Sequence, residues 1–436
     1  MGRSQDLYRR AKKIIPGGTQ LLSKRPEMFL PDYWPSYYEK SKGCVLWDLD
    51  GNRYIDMSYM SVGACILGYA DEDVDTQVKS VIDKGNITTL NAPEEVELAE
   101  LLCELHTWAD MVRYARTGGE AMAIAVRIAR ASSGSDKVLF CGYHGWSDWY
   151  LAANLADVKA LDGHLIPGLE PNGVPRALKG TSLPFFYNDT DGFLNLVNKH
   201  KADIGVVVME SIRNTFPDKK FIKTIRDITK ELGIVLVVDE VSAGWRLNVG
   251  GAHLMFDLEP DIAVFSKCIS NGYPMAAIIG KKEVMEAAQT SFISSTYWTD
   301  RIGPIAAITT IKKMIRKNVP KHLEKVGKLV QTGWKKLAEK NRLKINVGGI
   351  YPLSHFSFDY DNPLILKTLY TQLMLNEGFL ATTAFLAAFS HKKEHVQKYL
   401  NATDKVFAII AESIKKGNPE KYLKGPVCHS EFKRLA

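Results

Sequence analysis

The sequence lacks the features of a membrane protein or a nucleic-acid-binding protein. Its residues include no uncharged apolar stretch of about 18, the length that a membrane-spanning helix needs. Lysine and arginine are scattered without long runs, and the formal net charge of +7 is small for a chain of 436 residues. We therefore expect no membrane and no nucleic acid among its partners.

The cysteine spacing and the first residues bear on the location of the protein. The six cysteines lie far apart and form no C-x-x-C pair, which disfavours both a disulfide framework and a zinc site. The first residues, MGRSQDLYRRAKK, are charged and lack the apolar core of a signal peptide. These features favour reduced thiols, a cytoplasmic location and no bound metal.

The sequence does contain a regular alternation of helical and apolar segments between residues 90 and 310. The apolar segments typical of buried strands are DKVLFCG, ADIGVVVME, GIVLVVDE and PDIAVFSK. Between the second and the third of these, FIKTIRDITKEL predicts a helix with one apolar face, formed by Phe221, Ile222, Ile225, Ile228 and Leu232. Strand–helix–strand units of this kind predict a largely parallel sheet covered by helices.

Two domains are expected for a chain of this length. The alternating part predicts a large domain over residues 61–310. Residues 1–60 contain a hairpin pattern, GCVLWDLDGNRYIDMS, and residues 311–436 mix lysine-rich helix with short segments. These two parts, from both termini, are predicted to form a smaller α+β domain.

One predicted strand raises a question about charge. Its apolar residues, 234–238, are followed directly by Asp239 and Glu240. A buried carboxylate without a partner is costly, so a positively charged group or a metal is expected nearby. A metal-bound nucleotide is one candidate, but the chain has no G-x-x-x-x-G-K-[ST] loop to hold it. A cationic organic cofactor is the other candidate.

A lysine at the end of the next predicted strand favours the cofactor. Lys267 follows Asp239 at a separation that one strand–helix–strand crossover can span, and the carboxyl ends of parallel strands share one edge of the sheet. Pyridoxal 5′-phosphate requires such a pair. The lysine forms a Schiff base with its aldehyde, and the carboxylate keeps its pyridine nitrogen protonated.

A phosphate site and an aromatic partner for the pyridine ring are also indicated. Thr117, Gly118 and Gly119 stand at the start of a predicted helix, where free N–H groups and the helix dipole favour an anion. Tyr143 lies in CGYHGW, just after a predicted strand, and is placed to stack on the ring.

Several segments together resemble the class III aminotransferases of the fold-type I pyridoxal-phosphate superfamily, most nearly the glutamate-1-semialdehyde aminomutase branch. The resemblance covers nearly the whole chain and rests on LYRRAKKIIPGG, LWDLDGNRYIDM, TGGEAMAIAVRIAR, YHGW, VVDEVSAGWR and FSKCISNGYPMAAI. It implies an α/β fold of type I, with a mostly parallel central sheet sandwiched by helices. It also implies a homodimer with shared active sites.

The resemblance assigns roles to individual residues. Lys267 would be the Schiff-base lysine and proton shuttle, and Asp239 would pair with the pyridine nitrogen. Val241 and Tyr143 would pack on opposite faces of the ring. A threonine of the neighbouring subunit would reach the phosphate, for which we choose Thr296 and keep Thr299 as the alternative. The implied cofactor-binding residues are Thr117, Gly118, Gly119, Tyr143, His144, Asp239, Val241, Lys267 and Thr296.

Two departures from the family pattern bear on the substrate. The usual Ser-Gly-Thr turn reads Thr117-Gly118-Gly119 and so loses one hydroxyl, and the usual Thr-x-Ser-Gly-Asn-Pro segment is replaced by the longer TYWTDRIGP. The expected activity is amino transfer from a small-molecule donor to a small or sugar-derived carbonyl acceptor. Glutamate-1-semialdehyde 2,1-aminomutation is the alternative. A non-catalytic scaffold or sensor is a remote alternative, which the presence of Lys267 disfavours.

Two further features have competing interpretations. Residues 391–395, HKKEH, fit the H-x-x-E-H zinc-protease pattern. We interpret them as structural, because so short a pattern recurs by chance and here falls at a predicted helix start. Arg246 could meet a substrate carboxylate or form a structural salt bridge.

Overall fold

The computed structural model describes residues 2–432. The chain divides into two compact units. The central unit is Glu72–Pro320, and the terminal unit combines the residues up to Asp71 with those from Lys321 onward. The sequence predicts the corresponding boundaries after residues 60 and 310.

The secondary structure alternates between strands and helices along most of the described chain. The strands are β1 (Tyr38–Lys42), β2 (Val45–Asp48), β3 (Arg53–Asp56), β4 (Met111–Ala115), β5 (Lys137–Cys141), β6 (Ser182–Pro184), β7 (Ile204–Glu210), β8 (Val235–Asp239), β9 (Ile262–Phe265), β10 (Ala276–Gly280), β11 (Ile345–Gly348), β12 (Leu353–Phe358), β13 (Phe379–Leu380) and β14 (Ala384–Leu386). The α-helices are α1 (Arg3–Ile14), α2 (Glu72–Ile82), α3 (Pro93–Leu105), α4 (Gly118–Ser133), α5 (Asp148–Leu151), α6 (Thr190–His200), α7 (Lys219–Leu232), α8 (Lys282–Met285), α9 (Ile302–Lys317), α10 (Val319–Lys340), α11 (Pro363–Asn376) and α12 (Lys393–Lys415).

The central unit is built on a seven-stranded sheet with the order β4-β10-β9-β8-β7-β5-β6. All neighbouring strands pair in parallel except at β10, which is antiparallel to both β4 and β9. This arrangement confirms the predicted α/β fold with a mostly parallel sheet.

Both faces of the sheet are buried, which explains the unbroken apolar runs of its strands. Alternate residues of β8 belong to different clusters. Val237 packs in the cluster that contains the apolar face of α4. Leu236 and Val238 pack in the cluster that contains α7. Because side chains alternate along a strand, every residue of β8 must be apolar until the strand leaves the core at its carboxyl end.

Helix α7 has the apolar face that the sequence predicts. Phe221, Ile222 and Ile225 are buried, and Ile228 and Leu232 pack partly buried against the same cluster. The helix ends at Gly233, whose φ of 67° is left-handed, a conformation that glycine adopts without steric cost.

The terminal unit has the predicted small α+β architecture from both ends of the chain. Strands β1, β2, β3 and β13 form one sheet and β11, β12 and β14 another. Parallel pairing of β13 with β3 joins the two halves of this unit. In the β2–β3 hairpin, the Asp48 carboxylate accepts the backbone N–H groups of Asp50 and Asn52, each at 2.9 Å, and so closes the turn.

Nowhere in residues 2–432 does a helix reach the length and hydrophobicity that crossing a membrane requires.

Two glycines of α10 provide a matched test of packing in the terminal unit. At Gly327 a Cβ atom would lie 1.8 Å from the carbonyl oxygen of Tyr351, a backbone atom with little freedom to move. Gly327→Ala is therefore expected to lower the free energy of unfolding by about 1–3 kcal/mol. At Gly333 a Cβ atom would meet only the side-chain end of Leu400, at 2.5 Å. Leu400 can rotate away, so Gly333→Ala should lower the free energy of unfolding less. Urea denaturation followed by circular dichroism measures both variants, and equal shifts of the urea midpoint would contradict this account.

Candidate active site

The structure brings Asp239 and Lys267 to neighbouring strand ends. Asp239 is the last residue of β8, and Lys267 follows shortly after the end of β9, which pairs with β8 in parallel. The segment between these strands contains a five-residue 3-10 helix, Ala252–Phe256, and no α-helix. The sequence predicts a strand–helix–strand crossover between these two strands, and this prediction is wrong. The two side chains nevertheless lie at the carboxyl edge of the sheet, where ligands of such sheets bind.

The buried carboxylate of Asp239 has protein partners on both oxygens. The backbone N–H of Val241 donates to Oδ1 at 2.8 Å, and His144 Nδ1 lies 2.8 Å from Oδ2. The other ring nitrogen of His144 lies 3.0 Å from the carbonyl oxygen of Cys141. Both nitrogens of this buried ring therefore contact oxygen atoms, and His144 joins Asp239 to the loop that follows β5.

Lys267 is held in one position by its backbone and by Ser242. Its φ of 46° is left-handed, and Nζ donates to Ser242 Oγ at 2.8 Å. Its burial, followed by the charge of Arg246, lowers the pKa of the Lys267 amine. A neutral amine is therefore present at lower pH than for a free lysine, as a nucleophile or proton carrier requires.

Ser242 is not among the site residues predicted from the sequence. Its position three residues after Asp239, in the same strand-end loop, is the feature that could have indicated it.

A second buried carboxylate lies beside Asp239. Glu210 ends β7 and pairs with Asp239 in the sheet register. Its Oε2 accepts the N–H of Tyr143 at 3.3 Å and Nη1 of Arg213 at 2.6 Å. Burial raises the pKa of Glu210, whereas the charges of Arg213 and His144 lower it. Neither Glu210 nor Arg213 was among the predicted site residues. Glu210 anchors the backbone of the loop that carries Tyr143.

Tyr143 and Val241 are both partly buried at this edge of the sheet. Burial and then the charge of Asp239 raise the pKa of the Tyr143 phenol, so that it stays protonated. Val241 contacts the start of α4 closely, since a Cβ atom at Gly118 would lie 2.9 Å from Val241 Cγ1. Only glycine leaves the required space there.

The start of α4 has the features of an anion site. Thr117 caps the helix, with its Oγ1 accepting the N–H of Glu120 at 3.4 Å. Glu120 Oε2 in return accepts the N–H of Arg116 at 2.8 Å. The N–H groups of Gly118 and Gly119 belong to the first turn, where a helix supplies no acceptors. With the helix dipole, they favour an anionic group at this point.

The predicted phosphate segment around Thr296 lies against the start of α4. Thr296 is exposed and begins a 3-10 helix, whereas Thr299 is partly buried and its Oγ1 donates to the carbonyl oxygen of Thr296 at 2.9 Å. Trp298 Nε1 donates to Glu120 Oε1 at 3.0 Å. Of the two candidate threonines, Thr296 is therefore the one with the more exposed side chain.

Arg246 lies beneath the site and away from solvent. The residue is 1% exposed, and its Nε donates to the carbonyl oxygen of Ser242 at 2.7 Å. This position favours the structural interpretation over contact with a substrate carboxylate.

The two histidines of the HKKEH pattern are used in backbone contacts of the terminal unit. His391 is buried, with Nε2 donating to the carbonyl oxygen of Asp56 at 2.8 Å and Nδ1 accepting the N–H of Ala388 at 3.0 Å. His395 Nδ1 accepts the N–H of Lys392 at 3.1 Å. Over residues 2–432, the structure brings no three His, Cys, Asp or Glu side chains together around a metal position.

The central unit supplies groups that fit each part of pyridoxal 5′-phosphate. Asp239 matches a protonated pyridine nitrogen, and the amine of Lys267 matches an aldehyde. The amides of Gly118 and Gly119, in the first turn of α4, match a phosphate.

Comparison with known proteins gives a consistent picture. The family model described as aminotransferase class-III matches residues 31–407. A 3-aminobutyryl-CoA aminotransferase of Cloacimonas acidaminovorans (strain Evry) is 30% identical, covering 87% of this chain and 90% of the relative. A glutamate-1-semialdehyde 2,1-aminomutase of Clostridium botulinum (strain Alaska E43 / Type E3) is 32% identical, covering 93% and 98%. The solved PLP internal aldimine form of the FumI protein of Sphingopyxis sp. MTA144 has a TM-score of 0.86 at 24% identity, with coverage of 97% and 99%, and shares the fold.

The charge of Arg246 leads to a prediction about Lys267. Arg246→Met removes a positive charge that lowers the pKa of Lys267, so this pKa should rise. The amine then stays protonated to higher pH, and its acylation should reach a plateau at higher pH than in the wild-type protein.

The protein is first stripped of bound carbonyl compounds with hydroxylamine. Trace labelling with acetic anhydride at a series of pH values then measures the pKa of Lys267, and peptide mapping identifies the labelled residue. Lys282→Met, which changes an exposed lysine, serves as control. An unchanged or lower pKa of Lys267 in the Arg246 variant would contradict the electrostatic account.

Proposed function

The chain belongs to the class III aminotransferases, and on that premise we propose how its own residues carry out pyridoxal-phosphate-dependent amino-group transfer. The observation that carries the proposal is the meeting of Lys267 and Asp239 at adjacent strand ends, with His144 bonded to Asp239. Asp239 binds the pyridine nitrogen, Lys267 holds the cofactor covalently through Nζ, and the first turn of α4 binds the phosphate. When bound, the cofactor supplies an aldehyde that takes up amino groups and a cationic ring that withdraws electrons.

Asp239 and His144 together hold a proton on the ring nitrogen. A carboxylate favours the protonated form of a neighbouring base, and the contact from His144 Nδ1 keeps Asp239 correctly oriented. The bond from the N–H of Val241 fixes the second carboxylate oxygen. Val241 and Tyr143 would pack on opposite faces of the ring. The hydroxyl of Thr117 would bind the phosphate together with the backbone amides of Gly118 and Gly119.

Lys267 Nζ moves protons once it is released from the cofactor. Its lowered pKa leaves the amine able to accept a proton from the substrate carbon and to return it at another position. Ser242 Oγ, at 2.8 Å, orients the amine for this transfer. The same group serves both transamination and aminomutation, because both require a proton to change carbon atoms.

The proposed substrates are a small-molecule amino donor and a small or sugar-derived carbonyl acceptor. The departures at Gly119 and in TYWTDRIGP, close to α4, support an acceptor other than glutamate semialdehyde. The two relatives described above have different activities at nearly the same identity, so the 2,1-aminomutase is the second candidate. The two candidate activities are distinguished by adding single amines, sugar amines or glutamate semialdehyde. The compound that changes the absorbance of the bound cofactor identifies the substrate class.

The proposal includes a homodimer with shared active sites, located in the cytoplasm. Large apolar side chains in the loops beside α4 are exposed in the single chain: Phe292 by 89%, Tyr297 by 72% and Trp146 by 71%. Such a group of exposed apolar residues is typical of a protein interface. A second subunit there would carry Thr296 to the phosphate. The six cysteines are free, in keeping with a reducing compartment.

The first test locates the lysine that carries the cofactor. Borohydride reduction of the holoenzyme followed by digestion should place the cofactor on the peptide with Lys267. Lys267→Ala should lose this label and all turnover, while Lys282→Ala, at an exposed lysine, keeps both. Labelling of a different lysine in the wild-type protein would show that the assignment is wrong.

The second test asks whether each site takes Lys267 from one subunit and Thr296 from the other. Lys267→Ala and Thr296→Tyr should each be inactive. In a hybrid dimer one site receives both lesions and the other receives neither. Activity should therefore reappear on mixing, up to about half that of a wild-type dimer per hybrid, by counting sites.

The matched control mixes Lys267→Ala with Asp239→Asn. Both of these residues belong to the same subunit's part of the site, so every hybrid site keeps one lesion and no activity should return. If hybrids confirmed by mass show no recovery in the first mixture either, Thr296 does not serve the neighbouring site.

A further inference from the structure

The first turn of α4 contacts the indole of Trp146 where the family pattern has a side-chain hydroxyl. A Cβ atom at Gly119 would lie 3.1 Å from both Cδ1 and Nε1 of Trp146. Cα–Cβ bonds in a helix tilt toward its N-terminus. A hydroxyl on residue 119 would therefore stand beside the first-turn amides, and the indole N–H now lies in that place.

The N–H of Trp146 is available to a ligand. Throughout residues 2–432, no protein acceptor receives the proton of Nε1. The indole of Trp298, which also lies at the start of α4, differs in this respect, because its Nε1 donates to Glu120 Oε1 at 3.0 Å. Trp146 is 71% exposed in the single chain, so its N–H remains hydrated until a ligand or a second subunit covers it.

The loop that carries Trp146 is held by the site itself. On one side His144 contacts both Asp239 and the carbonyl oxygen of Cys141. On the other, Ser147 Oγ donates to the carbonyl oxygen of Gly119 at 3.3 Å. At Gly145, whose φ is 99°, a Cβ atom would lie 2.8 Å from the Cα of Gly119, so loop and helix touch through their backbones. The backbone that carries the indole is thus fixed relative to the first turn of α4.

We propose that Trp146 binds the cofactor phosphate through Nε1–H and takes over the contact of the hydroxyl that is missing at residue 119. This inference rests on the proposed function, which places the phosphate at the first turn of α4. An N–H donor is suited to a phosphate, whose oxygens accept hydrogen bonds and whose negative charge strengthens them. The aromatic ring also shields these bonds from water.

The test compares pyridoxal 5′-phosphate with pyridoxal, which has the same ring and aldehyde but no phosphate. Trp146→Phe keeps an aromatic ring but removes the N–H together with part of the bicyclic ring, and pyridoxal controls for this loss of ring area. The affinity of this variant for pyridoxal 5′-phosphate should fall about tenfold or more, since a bond to a charged group is lost. Its affinity for pyridoxal should stay unchanged. Titration of the cofactor-stripped enzyme, followed by cofactor absorbance, gives both dissociation constants.

A pair of exchanges at residues 119 and 146 makes the test independent of one variant. Gly119→Thr alone should weaken cofactor binding, because the new Cβ meets the indole at 3.1 Å. Trp146→Ala alone should lose the preference for the phosphorylated ligand. The double variant Gly119→Thr/Trp146→Ala has room for the hydroxyl and should regain that preference.

The outcomes separate this inference from the proposed function. If borohydride fixes the cofactor on Lys267 in every variant but the ratio of the two affinities stays at the wild-type value, Trp146 does not bind the phosphate. An equal loss for both ligands, or a weaker dimer with an unchanged ratio, would likewise overturn the inference and assign Trp146 to packing. Cofactor on another lysine would instead overturn the proposed function.

Discussion

The hydrogen bond between Asp239 and His144 is the contact on which the geometry of the site depends. It joins the end of β8 to the loop that follows β5, two strands that are separated in the sheet by β7. It also gives a hydrogen-bond partner to a carboxylate that is 4% exposed at the edge of an apolar core. The loop that His144 fixes carries Tyr143 and rests against the start of α4.

The same solution is repeated at the neighbouring strand ends. Glu210 contacts Arg213 at 2.6 Å, Asp239 contacts His144 at 2.8 Å, and Glu240 contacts His253 at 2.8 Å. Arg213 lies three residues after Glu210, and His253 lies in the connection that follows Glu240, whereas His144 reaches Asp239 from a distant loop. Removing one of these side chains would leave a buried carboxylate without that partner. These pairs rigidify the edge of the sheet, which is what a site needs if its ligands are to be held in one geometry.

A departure from a family pattern acquires a meaning once the neighbouring loop is visible. The loss of a hydroxyl at residue 119 suggests a weaker phosphate site when the turn is considered alone. In the folded chain, the vacated volume is filled by the indole of Trp146, which comes from a loop more than twenty residues away. Gly145 is required by the close approach of its backbone to that of Gly119, whereas at Gly119 the tight neighbour is the indole itself.

The sequence by itself determined the fold class and the two residues that we propose as the centre of the chemistry. Strands buried on both faces must be continuously apolar, and the first charged residue after such a run therefore marks the edge where ligands bind. This reasoning located Asp239 and Lys267. Only the tertiary structure revealed the antiparallel β10, the 3-10 connection that replaces the expected crossover helix, and the partners Ser242, Glu210 and Trp146. These depend on which strands become neighbours and on how each loop is packed, and both are decided by contacts between segments distant in the chain, which no local spacing encodes.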